Sequence, residues 1–162
     1  MAERRAQDVL RHSVLDRLVS APGAGGRRGD LRISVEDLKL AVRRDIEWLL
    51  NTRRSSLPGL AGLPEAQASL LTYGMPDLTM FTRGEGDRRR ICELIEEALR
   101  AFEPRLLARS IRVEALADGG EPRSHLRFAI HAELHVDPIR EPVTFDTSVE
   151  MVSGAVAVAA GD

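Results

Sequence analysis

The sequence predicts an α+β domain, with N-terminal helices packed on one face of a C-terminal, mainly antiparallel β-sheet. Two observations point there. Up to residue 102 the apolar residues recur at helical spacing, and after residue 109 the period shortens to two. Helices first and alternating strands second leave one sheet face for the helices to cover and the other free.

The first element is VLRHSVLDRLV at 9–19, which sets Val9, Leu10, Val14, Leu15 and Leu18 on one helical stripe before APGAGGRRGD breaks it with four glycines and a proline. This predicts a helical arm and a flexible Gly-rich linker over residues 1–30, ahead of a folded domain over 31–162. In that domain Ser34, with Asp37 three residues on, forms a capping-box pattern that opens a helix from Val35 to about Asn51. Leu38, Val42, Ile46 and Leu49 are its buried stripe. Trp48 lies off that stripe beside Arg44 and Asp45, which leaves the indole either a core residue, the default, or an interface residue.

Pro58, Gly59, Gly62, Pro64, Gly74 and Pro76 punctuate the following segment, so it is a wrapping connection with room for a short helix at 65–71. A second long helix, about Asp87 to Phe102, turns Ile91, Leu94, Ile95, Ala98, Leu99 and Phe102 inward, with Cys92 a packed thiol on the flank. Strands follow. SIRVEAL alternates Ile111 and Val113; LRFAIHAELHV sets Leu126, Phe128, Ile130, Ala132, Leu134 and Val136 against Arg127, His131, Glu133 and His135. VTFDTSVEM alternates Val143, Phe145, Thr147, Val149 and Met151, then turns at Ser153-Gly154 into a last strand, Ala155 to Ala159.

Composition narrows the function. A formal charge of -2 lacks the basic surplus that nucleic-acid binding requires. With 43% hydrophobic and 4% aromatic residues, the core rests on aliphatic side chains. Lys39 is the only lysine, so the arginine doublets and Arg88-Arg89-Arg90 reflect an arginine bias rather than a basic site. The lone Cys92 permits neither an internal disulfide nor a cysteine metal cluster. The start, MAERRAQDVLRHS, has no apolar run behind its charges, and no stretch reaches the length of a membrane span, so the expected setting is the cytoplasm, without membrane insertion.

Three constellations invite chemistry. His131, Glu133 and His135 share a strand face, but alternate residues over that span spread across about 13 Å, too far to converge on one ion. They read as a solvated face, and no metal is expected. Glu103 suggests a glycosidase acid, yet no local spacing links it to a second carboxylate such as Asp77, Glu133 or Asp146, and one Trp and one Tyr make a poor sugar cleft. Phosphate-loop, dinucleotide and nucleophile-elbow patterns are missing from the sequence.

The third is FEPRL, residues 102–106. Pro104 disfavours helical backbone at the residue before it, so the helix should end at Glu103. A helix stop followed by a solvated arginine accounts for that. A kink that holds Glu103 and Arg105 both pointing outward would instead make a docking element, because the guanidinium fork orients partners. The residues alone leave the two readings even.

Five blocks in order resemble a known family: SVLDRL at 13–18, RRDIEWLLNTRR at 43–54, LLTYGMPDLT at 70–79, FEPRL at 102–106 and EPVTFDTSVEMVSG at 141–154. Together they are similar to the TssE family of type VI secretion baseplate subunits, within the lysozyme-like family of contractile phage tail wedge proteins. The resemblance implies a non-enzymatic structural subunit without cofactor. It would work on the cytoplasmic side, at a baseplate docked on the inner-membrane complex. It makes Glu103, Pro104 and Arg105 the wedge-binding motif, with TssF, TssG and TssK as wedge partners. It makes the C-terminal hairpin the contact to the sheath proteins TssB and TssC, with Ala155, Val156, Ala157 and Val158 as the strand to be shared. At the end of the sheet that strand should offer unpaired backbone groups. Arg105→Ala is then expected to weaken wedge binding and leave the fold intact. A wedge protein of a contractile phage or phage-derived tail is the alternative in the same class, and a peptidoglycan hydrolase the alternative in another.

Overall fold

Helix α1 (Val35–Asn51) starts where its cap dictates. The Ser34 hydroxyl accepts from the Asp37 N–H at 3.0 Å, and the Asp37 carboxylate accepts from the Ser34 N–H at 3.4 Å, so the capping box is closed. This is a computed structural model that describes residues 34–161 apart from 56–58, 61, 68, 118–123 and 137–138. The expected arm and linker over 1–30 lie outside the described residues. Leu38, Val42, Ile46 and Leu49 are buried as the spacing requires, joined by Leu50.

The connection after α1 is tied back on itself by two backbone bonds, Arg54 N–H to Met75 O at 2.7 Å and Met75 N–H to Thr52 O at 2.8 Å. The helix expected at 65–71 is two pieces, α2 (Pro64–Gln67) and a 3-10 turn at Leu70–Thr72. Ser69 divides them, because its hydroxyl accepts from the Leu71 N–H at 3.3 Å and starts a new turn. A second 3-10 turn, Leu78–Met80, is capped by Asp77.

Helix α3 (Glu85–Phe102) opens two residues before the expected start and buries Ile91, Leu94, Ile95, Ala98 and Leu99. It stops as Pro104 demands, with Glu103 at the C-cap. Cys92 packs half-buried against the core, and burial pushes its thiol up.

The strands β1 (Arg112–Ala115), β2 (His125–Val136), β3 (Ile139–Glu150) and β4 (Val156–Ala160) form an antiparallel meander in that order. Leu126, Phe128, Ile130, Ala132 and Leu134 of β2 face the core; in register beside them on β3 are Val149, Thr147, Phe145 and Val143. Helix α1 packs on β4 and α3 on β1, so the two helices cover one sheet face from its two margins. The α+β arrangement read from the sequence is the one observed.

One polar atom interrupts this apolar layer. The Thr147 hydroxyl is buried without a hydrogen-bond partner, and an unsatisfied buried hydroxyl costs about 1–3 kcal/mol. Thr147→Val keeps the shape and removes the hydroxyl. It is expected to raise the urea midpoint, by a stability gain of about 1 kcal/mol; an unchanged or lower midpoint would show that the hydroxyl is satisfied.

Candidate functional site

Pro104 forces the chain to turn at the end of α3, and the turn folds the following arginine back over the preceding glutamate. The Glu103 carboxylate is 5% exposed. One of its oxygens accepts from the Arg105 N–H at 3.1 Å and from Arg105 Nε at 2.7 Å, and the other accepts from Arg105 Nη2. The same Nη2 donates to Asp45 Oδ2 on α1 at 2.7 Å. Asp45 accepts in turn from Arg44 Nε and Nη2 at 3.0 and 2.9 Å, and the Arg44 guanidinium lies 4.9 Å from the centre of the Trp48 ring. A chain of alternating charge thus runs from the turn to the indole.

Burial by itself would lower the pKa of Arg105. The hydrogen bonds and charges of Glu103 and Asp45 outweigh that and raise it, so the guanidinium is held charged. Backbone bonds fix the turn as well: the His135 N–H donates to Arg105 O at 2.8 Å and the Leu107 N–H to Glu133 O at 2.9 Å, which joins residues 105–107 to the far end of β2.

The expectation that Glu103 and Arg105 both point outward is corrected here. Glu103 is buried and fully engaged as an acceptor, and Arg105 is only partly exposed, because a buried carboxylate needs a charged partner and Arg105 is the nearest one. The carboxylate that shares Arg105 is Asp45, which was not among the second carboxylates considered. Pro104 remains exposed at the tip of the turn.

Beside the turn lies an open groove of about 410 Å³ walled by Trp48, Leu49, Tyr73, Phe102 and Pro104, with Asp45, Glu103 and Arg105 along one side. Tyr73 meets Phe102 edge to face at 5.2 Å. Partial burial, then the charges of Asp45 and Glu103, push its phenol up, so it stays a neutral donor. Trp48 is 49% exposed, so of its two open readings the core one fails: the stripe of α1 faces the sheet, and the indole stands to the side over Arg44.

The other candidate region is β4. Val156 and Val158 face the core, while Ala155 and Ala157 are exposed. The edge expected to be bare there is covered in part. Asn51 of α1 donates to Val156 O at 2.7 Å and accepts from the Val156 N–H at 2.9 Å, and Arg43 Nη1 donates to Val158 O at 2.8 Å. His131 and His135 are exposed on the outer sheet face with Glu133 half-buried between them, and the described residues contain no group of three His, Cys, Asp or Glu placed to hold an ion. Among the described residues no helix is long and apolar enough to cross a membrane.

No curated protein matches the sequence at a significant level. One solved structure that this chain resembles is a chain of the baseplate complex from the type VI secretion system, 18% identical, covering 71% of this chain and 96% of that chain at a TM-score of 0.49. The sequence pattern of the family described as baseplate wedge protein gp25 matches residues 36–139, which takes in α1, the groove, the Glu-Pro-Arg turn and the sheet up to the start of β3. By that match the chain belongs to the gp25 family of baseplate wedge proteins and is a structural component of a baseplate.

Proposed function

We propose that this protein is a structural subunit of a type VI secretion baseplate that joins the wedge core to the contractile sheath. The five sequence blocks, in order, support this reading, and a wedge protein of a phage or phage-derived tail is the alternative in the same class. In this reading one surface holds the wedge and another the sheath, so a rearrangement of the baseplate is passed on to the sheath at firing. The protein works in the cytoplasm, at a baseplate docked on the inner-membrane complex.

The wedge side rests on one observation: a half-exposed Trp48 lines the same mostly apolar groove as the Glu103-Pro104-Arg105 turn. Tryptophan and arginine dominate interface energetics because they combine large area with fixed orientation. The partners are TssF, TssG and TssK. The sheath side is β4 with its hairpin, and the partners there are TssB and TssC.

The test is an affinity pull-down of the tagged chain from its host, comparing wild type with Trp48→Ala and with Pro104→Ala, both at exposed positions. Trp48→Ala is expected to lower wedge affinity by about 1–3 kcal/mol while sheath recovery and circular dichroism stay as in the wild type. Full wedge recovery with both variants would remove the turn and groove from the wedge interface.

A further inference from the structure

Antiparallel pairing decides which groups of β4 face its neighbour. The Glu150 N–H donates to Ala155 O at 2.8 Å and the Gly161 N–H to Thr144 O at 2.9 Å, so the odd-numbered residues of this strand bond to β3 and Val156, Val158 and Ala160 turn their backbone groups to the outer edge. On that edge sit the bonds from α1. Asn51 makes both a donor and an acceptor bond to Val156, the pair that a residue of a fifth strand would make, and Arg43 takes the carbonyl of Val158.

These two residues belong to one row. Lys39, Arg43, Glu47 and Asn51 recur every four residues along α1; Lys39 bonds Glu141 of β3 at 2.9 Å, and Glu47 lies 3.9 Å from Arg43. The opposite margin is treated alike, since Glu96 of α3 accepts from the Val113 N–H of β1 at 3.0 Å. Side chains of each helix thus bond to the sheet edge that the helix covers.

We propose that the polar row of α1 is a latch: Asn51 and Arg43 stand in for a neighbouring strand, keep β4 shut in the free subunit, and must be displaced before a partner strand pairs with it. An open edge would pair with any exposed strand, including a second copy of this chain. A latch built from two side chains can be exchanged for a strand that offers more bonds. The proposal rests on β4 being the sheath-side strand only for the identity of the partner.

Amide hydrogen exchange on the full chain tests the latch without any partner. In Asn51→Ala the Val156 amide should exchange at least about tenfold faster, with Ala157 and Ala159 unchanged. Asn51→Asp, which keeps the acceptor, should retain most of the protection. Sedimentation equilibrium then reads the edge. Arg43→Ala/Asn51→Ala should self-associate at least about tenfold more tightly than wild type, and adding Ala160→Pro, which removes an outward N–H at an exposed position, should reverse this. Unchanged Val156 exchange, or self-association no stronger than wild type in a folded double variant, would overturn the latch. Sheath assembly that survives Ala160→Pro in the host would count against the sheath reading instead, because neither solution readout depends on it.

Discussion

Arg105→Ala is expected to destabilise the protein by about 3–5 kcal/mol, because it strands a carboxylate that the fold has taken out of water. Glu103 is 5% exposed and takes three hydrogen bonds from Arg105, two of them from the guanidinium. Without that group only the backbone N–H of residue 105 remains to it, and Asp45 loses the Nη2 partner at 2.7 Å. The sequence-based expectation of an intact fold is therefore reversed. Glu103→Ala should be the milder change, since it leaves Arg105 with Asp45 and removes the charge that most needs a partner. The double variant Glu103→Ala/Arg105→Ala should be more stable than the sum of the singles implies. Urea denaturation of all three variants checks this; additive losses would mean that the pair is not coupled. A pull-down with Arg105→Ala alone reports unfolding and docking together, and exposed positions are the better probes of docking.

Gly74→Ala is expected to cost at least about 2–3 kcal/mol, through the backbone rather than a lost contact. Gly74 has φ +105°, and a Cβ built there would lie 2.2 Å from the carbonyl oxygen of Thr52. That carbonyl cannot yield easily, because it already accepts the Met75 N–H at 2.8 Å. The damage should spread to the groove, since the next residue back, Tyr73, is packed on Phe102. Thermal unfolding should show a clear drop in Tm, and near-ultraviolet circular dichroism should show a changed tyrosine environment. A variant as stable as wild type would mean that the 52–54 and 73–75 segments separate freely.

Local signals carried the fold. Ser34 and Asp37 marked the start of α1 and Pro104 the end of α3, because caps and prolines act within a few residues. Strict alternation along β2 and β3 named the buried face correctly from Leu126 to Leu134 and from Val143 to Val149. The candidate site was half legible. FEPRL announced a turn with two charges, but their fate depended on Asp45, sixty residues away on another helix. Trp48 can go either way in the sequence, since an indole one position before a buried leucine can face in or out; its 49% exposure excludes the core. In the sequence alone the row Lys39, Arg43, Glu47 and Asn51 is just the polar side of an amphipathic helix. Only the return of β4, 105 residues after Asn51, turns it into a strand partner.

The two backbone bonds between β2 and residues 105–107 also extend the sheet's pairing to the Glu-Pro-Arg turn. A pull along β4 loads its bonds to β3 sideways; β3 passes it to β2 over the full register from His125 to Val136, and β2 passes it to the turn through Glu133 and His135. Every junction on that route is a set of bonds lying across the direction of tension, so the bonds share the strain in parallel instead of opening one after another. The Glu-Pro-Arg turn and the last strand are therefore joined by one continuous series of backbone bonds, from β4 across β3 and β2 to residues 105–107.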